Sequence, residues 1–457
     1  MMRKFYLAAL FLSFVTMVLH AQSKLQNNMF LKKLPNGLDV LVVEDNTVPL
    51  ATLVMTFKAG AFTESQNSSG ITALYLNMLA KGNKDYANQE DLDYHEGQLG
   101  IQLSNSTTAE EYSRTYFTLP AAELKEGLDF MNTEIRFAKM SPVEFQKEKE
   151  IICNEIKSKQ SSPSFALSVA MLHHLWGNLY NRKTALGTEE SIRAATNTDA
   201  DSVKTKYFNP NNALLIVGGD VKHDATFALV EKIYGDWTPG GSDPSKKWPI
   251  PEFKPLNKSD YYTVESPLSK SPLIEVNWQG PDTRNDIPAT YAADIFSYII
   301  NQASSKLSVA LIQSGLATSF NISYLTLKYR GPITLYIRPN PLKVKECMVE
   351  VKKQIELMSQ DDYISEEQIA TAKRMIEIAK IRQEEITSDY TKTISFWWAT
   401  ASLDYFIGYR DNLQKVSHAD IRQYVEKYIS KKPYCAGLLL SPELSKQLNP
   451  EAFFTSN

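Results

Sequence analysis

The feature that most constrains the fold is an internal repeat. Leu53–Gly60 has the pattern of an apolar strand that ends at a glycine, and Leu273–Gly280 repeats this pattern 220 positions later. A Lys-Tyr pair at 206–207 comes shortly before an apolar strand, and a second pair does so at 427–428, an offset of 221. Because these features recur in the same order at nearly one offset, the sequence predicts two copies of one unit of roughly 220 residues.

Two capping boxes support the same duplication. Ser141 and Ser365 each begin a predicted long helix with a Glu or Gln three residues later, and they lie 224 positions apart. Between the copies lies a segment rich in Pro, Gly and Ser, which is typical of a linker. We therefore expect an N-terminal domain at 25–237, a linker at 238–257 and a C-terminal domain at 258–457.

Within each copy, short strands alternate with longer helices. In the first copy the expected strands are 40–43, 53–57, 113–118 and 214–217, and the expected helices are 70–81, 121–138, 143–159 and 198–207. This mixture predicts an α+β fold of two homologous α/β sandwich domains, each a mostly antiparallel sheet covered by helices.

The first 21 residues have the pattern of a signal peptide. Arg3 and Lys4 precede an apolar run from Phe5 to Leu19, which is short for a membrane span of about 20 residues. The sequence therefore predicts export, to the periplasm if the source is a Gram-negative bacterium and otherwise to the extracellular space. No other stretch is apolar enough to span a membrane.

With 49 basic and 52 acidic residues, the chain lacks the basic excess that nucleic-acid binding requires.

The segment Ser69–Gly82 predicts an amphipathic helix, with Ser69 as its cap and Gly82 at its end. The chain resembles the pitrilysin/insulysin superfamily of zinc peptidases in four features. These are the Gly-Ile-Thr-Ala-Leu-Tyr-Leu-Asn-Met-Leu sequence of this helix, the helix Glu148–Glu155, the turn at 206–212 with the Gly-Gly-Asp sequence that ends the following strand, and the duplication. That superfamily includes the mitochondrial processing peptidases and their bacterial relatives. The resemblance runs from Met29 to the C-terminus.

Active members of this superfamily carry H-x-x-E-H on this helix, with two His as zinc ligands and the Glu as general base. The three positions correspond to Ala73, Leu76 and Asn77 here, and Glu155 corresponds to the third ligand. Three of the four groups are therefore missing, and we expect no zinc in this chain. Glu148 and Glu155 are then expected to be solvated helix carboxylates.

The resemblance implies a role as the zinc-free partner in a peptidase of two similar chains. Zinc would lie in the partner, a homologous subunit with the motif, and the substrates would be peptides or unfolded proteins held in a chamber between the subunits. Two alternatives remain open. The chain could be a stand-alone scaffold or peptide-binding protein with an inactive peptidase fold, or an active metallopeptidase with unusual ligands.

Relatives also place an Arg and a Tyr in the second copy, where they steady the substrate carbonyl. The resemblance suggests Tyr336 and Arg338 for this role, since both side chains lie on the same face of one strand. The chain departs from the family pattern here, because the family has the Arg before the Tyr and a longer spacing between them. Lys343 lies near the position where the family has the Tyr. An ordinary half-exposed sheet face is the alternative.

Residues 396–398 predict an aromatic core or interface, and 373–385 predict a solvated helix surface.

Overall fold

The structure, a computed structural model, describes residues 25–454. The predicted signal peptide at 1–21 lies outside these residues. The first sheet has six strands in the order β1-β2-β6-β3-β5-β4, and only β2 and β6 run parallel. The strands are β1 Met29–Lys33, β2 Asp39–Glu44, β3 Leu50–Phe57, β4 Gln102–Thr108, β5 Ser113–Pro120 and β6 Ala213–Gly219.

The second sheet has five strands in the order β7-β11-β8-β10-β9, with β7 and β11 parallel and the other pairs antiparallel. The strands are β7 Asp260–Glu265, β8 Leu273–Gln279, β9 Ala317–Tyr324, β10 Pro332–Pro339 and β11 Cys435–Leu440. This order repeats β2-β6-β3-β5-β4 strand for strand, and β1 is an addition to the first copy. The predicted α+β class, the mostly antiparallel sheets and the duplication are confirmed.

Helices cover both sheets. Those of the first copy are α1 Ile71–Met78, α2 Gln89–Gln98, α3 Leu124–Phe137, α4 Pro142–Gln160, α5 Pro163–Trp176, α6 Glu189–Ala194, α7 Asn197–Tyr207 and α8 His223–Tyr234, and the short α9 Pro244–Lys247 follows. Those of the second copy are α10 Ile287–Ile300, α11 Lys306–Ser308, α12 Val344–Leu357, α13 Glu366–Glu384, α14 Thr387–Thr400, α15 Leu403–Lys415, α16 His418–Tyr428 and α17 Pro442–Leu448.

The two copies exchange one helix each. Leu167 and Leu175 of α5 are buried against Tyr262 and Leu439 of the second sheet. Reciprocally, α14 packs Tyr390, Ile394 and Trp398 on the face of the first sheet that carries Leu41, Val54 and Ile216. A buried side chain of this size contributes about 1.5–3 kcal/mol relative to exposure, so the exchange ties the two units together. The aromatic segment 396–398 therefore contributes to an interface, as predicted.

The segment between the sheets is also packed. Trp248 lies against Tyr207, with ring centroids 5.7 Å apart, and Ile250 packs against the buried Phe62 and Leu327. The domain and linker boundaries given above stay a prediction. Among the helices within residues 25–454, none is long and apolar enough to cross a membrane.

Candidate functional site

The helix at the expected zinc position, α1, presents no ligand set. Ala73 and Leu76 are buried, and neither a methyl nor an isobutyl group can bind a metal. The Asn77 amide donates a hydrogen bond through Nδ2 to Oε1 of Glu148, 2.9 Å away. The amide therefore binds a carboxylate of α4.

Glu148 is held by a second group as well. The Lys81 ammonium lies 3.0 Å from its Oε2, and the Glu148 side chain is only 3% exposed. The expectation that Glu148 is a solvated carboxylate is therefore wrong. Burial of a carboxylate is favourable only where it is paired, and Asn77 and Lys81 supply that pairing.

Glu155, at the expected third-ligand position, behaves differently. Its side chain is 45% exposed and pairs with Lys159, with 3.2 Å between Oε1 and Nζ. For Glu155 the expectation of a solvated carboxylate agrees with the structure. The structure thus brings Asn77 and Glu148 together and leaves Glu155 in a surface ion pair.

The side chains at the expected zinc positions do not form a zinc site. A catalytic zinc site needs three protein ligands, usually imidazole or carboxylate groups. Here an amide nitrogen faces one carboxylate, and a lysine ammonium occupies the side where a cation would bind. Within residues 25–454, no group of three His, Cys, Asp or Glu side chains is close enough to hold a metal ion.

The start of α1 corrects a second expectation. Its N-cap is Gly70, with φ at +83°, and not Ser69. The buried Glu64 carboxylate accepts hydrogen bonds from the backbone N–H groups of Gly70 and Thr72, at 2.8 and 2.9 Å. A Cβ at residue 70 would lie 2.2 Å from the Leu186 carbonyl oxygen, so only glycine fits there. Sequence reasoning missed Glu64 because local capping patterns do not extend six residues upstream.

Tyr336 and Arg338 lie on β10, as expected. Tyr336 is half-buried, and its hydroxyl contacts Glu275 on the neighbouring strand and Ser168 on α5. Burial raises the pKa of Glu275 to about 7. Arg338 is exposed at the end of the strand. Tyr336 thus lies beneath the exchanged helix, and the substrate role of this pair stays a prediction.

A cavity of about 890 Å³ lies between the two units. We call it the inter-unit groove. One side is formed by Thr107, Tyr112, Arg114 and Tyr116 of the β4–β5 region. The other side is formed by α10, α13, α14, α15 and the segment 324–326, and includes Asp294, Lys380, Arg382, Lys392, Trp397 and Tyr409. No local sequence pattern predicts this groove, because its walls are far apart along the chain.

Two family patterns match the chain. Residues 39–188 match Insulinase (Peptidase family M16), and residues 195–376 match the Peptidase M16 inactive domain. The chain belongs to peptidase family M16. The resemblance inferred from the sequence is therefore confirmed.

Individual M16 relatives agree with this assignment. The "Non-peptidase homolog YmxG" of Helicobacter pylori is 20% identical over 85% of this chain and 88% of its own length. The "Mitochondrial-processing peptidase subunit beta" of Blastocladiella emersonii is 21% identical over 67% of this chain and 66% of its own length. A solved protease structure from H. pylori has a TM-score of 0.79 at 18% identity and covers 90% of this chain and 99% of the other. The chain has the M16 fold, and its match at 195–376 is to a domain that is described as inactive.

In this M16 chain, replacement of Asn77 by Asp would place a second carboxylate against Glu148. We expect Asn77→Asp to lower the free energy of unfolding by about 1–3 kcal/mol, since a partly buried hydrogen bond is replaced by like-charge repulsion. Urea denaturation near pH 7 measures this change. The control Glu155→Gln alters an exposed surface pair on α4 and is expected to stay within about 0.5 kcal/mol of the wild type. Equal stability of Asn77→Asp and the wild type would contradict the importance of this contact.

Proposed function

We propose that this chain is an exported, non-catalytic subunit that pairs with a zinc-bearing M16 homologue. It forms half of a substrate chamber and helps to bind peptides. One observation carries the proposal: in an otherwise complete two-unit M16 fold, the zinc positions are held by Ala73, Leu76 and Asn77, and Lys81 neutralises Glu148. A chain with this fold and without the ligands can contribute walls and contacts to a chamber whose zinc lies elsewhere.

Two further observations support the proposal. The relative from B. emersonii is named as a peptidase subunit, which fits a family whose members assemble. In addition, β4 is the last strand of the first sheet, so its outer edge is free to pair within the described chain. An extended peptide can add to such an edge through main-chain hydrogen bonds, and the inter-unit groove lies beside it. Export rests on the N-terminal pattern at 1–21.

The proposal is tested by reconstitution. The full chain and an M16 homologue with H-x-x-E-H from the same source are purified separately and then mixed, and cleavage of unfolded-protein substrates is followed. We expect a complex of the two chains, with cleavage only in the mixture. A homologue whose motif Glu is replaced by Gln serves as control, because it should form the complex without cleaving.

Two results would overturn the proposal. One is a homologue that is fully active alone and forms no complex with this chain, which would favour the stand-alone scaffold. The other is one zinc per molecule in the purified chain, lost on substitution of Glu155, which would favour unusual ligands. Elemental analysis of the isolated chain measures the second.

A further inference from the structure

The inter-unit groove carries an excess of positive charge. Its walls include four cations, Arg114, Lys380, Arg382 and Lys392, and two carboxylates, Asp294 and Asp389. Asp389 is already paired with Lys392, with 2.7 Å between Oδ1 and Nζ. Asp294 accepts a hydrogen bond from the Tyr409 hydroxyl at 2.6 Å, and burial raises its pKa to about 7. The charge that remains in the groove is therefore positive.

The two lysines of the groove lie on aromatic rings. The Lys380 ammonium is 4.0 Å from the Tyr409 ring centroid, and the Lys392 ammonium is 4.7 Å from that of Tyr116. A ring face positions an ammonium group without neutralising it, so the charge of Lys380, which unlike Lys392 has no carboxylate partner in the described chain, stays available to an incoming anion. Among the residues described, Lys380 and Arg382 have no carboxylate within ion-pair distance.

Arg114 adds an unsatisfied donor. Its Nη1 donates to the Lys392 carbonyl at 2.9 Å and contacts the Ser395 hydroxyl at 3.3 Å, which fixes the guanidinium across the two units. Its buried Nε has no hydrogen-bond acceptor among the described residues. A buried charged donor without an acceptor is costly, so part of the Arg114 charge in this wall is not compensated by the described residues.

We propose that the inter-unit groove binds acidic segments of extended peptides, with their carboxylates at Arg382 and Lys380 and their aromatic or apolar side chains on the Trp397 side. This inference rests on the proposed peptide-binding function and names its substrate class. The cavity of about 890 Å³ has room for several side chains, and β4 provides an edge for the backbone beside it. Arg and aromatic residues together form the kind of surface that dominates binding energy at interfaces.

The test measures fluorescence anisotropy of the full chain with two labelled peptides of the same length. One alternates Glu with Tyr and Leu, and the other has Lys in place of each Glu. At low salt we expect the acidic peptide to bind about tenfold more tightly or better, and the difference to shrink as salt screens the exposed charges.

Arg382→Gln is expected to weaken binding of the acidic peptide about three- to tenfold. Arg374→Gln is the matched control, because Arg374 is exposed on the same helix, carries the same charge and does not line the groove. It should leave affinity unchanged. Lys380→Met keeps an apolar stem of similar length against Tyr409 and should also weaken binding, with thermal denaturation confirming that the variant is folded.

Four results would each overturn this inference: equal binding of the two peptides, preference for the basic peptide, equal effects of the two Arg variants, or binding of neither peptide. Its failure is distinguishable from failure of the proposed function. A reconstituted mixture that cleaves substrates without preference for acidic segments contradicts only the inference. If the Arg382 and Lys380 variants weaken binding of the acidic peptide, but the chain forms no complex with a zinc-bearing homologue, the inference is supported and the proposed pairing of the two chains is contradicted.

Discussion

Replacement of Glu111 by Ala is expected to lower the free energy of unfolding by about 2–4 kcal/mol. The buried Glu111 carboxylate belongs to the first unit and accepts hydrogen bonds from the backbone N–H groups of Lys328 and Tyr329 in the second, at 2.8 and 2.7 Å. Alanine leaves both donors without this acceptor, and each buried unsatisfied donor costs about 1–3 kcal/mol.

The same loop is anchored by a second residue from the first unit. The Arg182 guanidinium donates to the carbonyl oxygens of Tyr329 and Arg330 and lies 3.9 Å from the Phe62 ring centroid. Segment 324–326, just before this loop, forms part of the inter-unit groove. Loss of the Glu111 contacts should therefore loosen one wall of the groove, and Glu111→Ala should also weaken peptide binding in the anisotropy assay.

The measurement is chemical denaturation at pH 5, where the folded chain still holds the Glu111 proton because burial raises its pKa to about 7. The neighbouring half-buried Glu110 provides the control. Within the described chain the Glu110 side chain makes no hydrogen bond, so Glu110→Ala is expected to change stability by less than about 0.5–1 kcal/mol. Glu111→Gln retains one acceptor oxygen and should lose about half as much as Glu111→Ala. Equal losses for Glu110→Ala and Glu111→Ala would contradict the anchoring role of Glu111.

The features that could be predicted from the sequence are local or repeated. Ala73, Leu76 and Asn77 lie within five residues on one short helix, so a missing ligand set is visible from their identities alone. The duplication is visible because both copies kept the same strand-end glycines and helix caps. The Ser141 and Ser365 side chains do cap their helices, since they accept hydrogen bonds from the backbone N–H groups of Glu144 and Gln368. The reciprocal bond of a full capping box forms only at Ser365.

What could not be predicted depends on contacts between distant segments. An apolar helix face predicts burial but does not say which sheet will cover it, so the exchange of α5 and α14 was missed. The contact between Asn77 and Glu148 spans 71 residues, and a glutamate in a Lys- and Glu-rich helix has no local signal for burial. Segment 373–385 is a largely exposed helix surface, as expected. Its pattern does not show that Lys380 and Arg382 line the groove, because that depends on which sheet edge of the other unit α13 faces.

Stability is expected to fall as the pH rises from 5 to 8, with Glu134 as the largest single source. This side chain is buried on α3, and burial, with a smaller contribution from Glu96, raises its pKa from 4.5 to about 8. The folded chain therefore keeps this proton up to about pH 8, whereas the unfolded chain releases it near pH 4.5. The folded state binds more protons across that window, so the free energy of unfolding decreases with rising pH.

Glu134→Gln isolates this contribution, because glutamine has nearly the shape of the protonated acid and cannot ionise. We expect the variant to match the wild type within about 1 kcal/mol at pH 5 and to be about 2–4 kcal/mol more stable at pH 8. The groups Glu111, Glu275 and Asp294, with pKa values of about 7, should leave a residual slope up to neutral pH. Glu126→Gln removes the same charge from an exposed position on α3 and should change stability little at either pH. If the difference between Glu134→Gln and the wild type is the same at pH 5 and pH 8, Glu134 is not the source of the pH dependence.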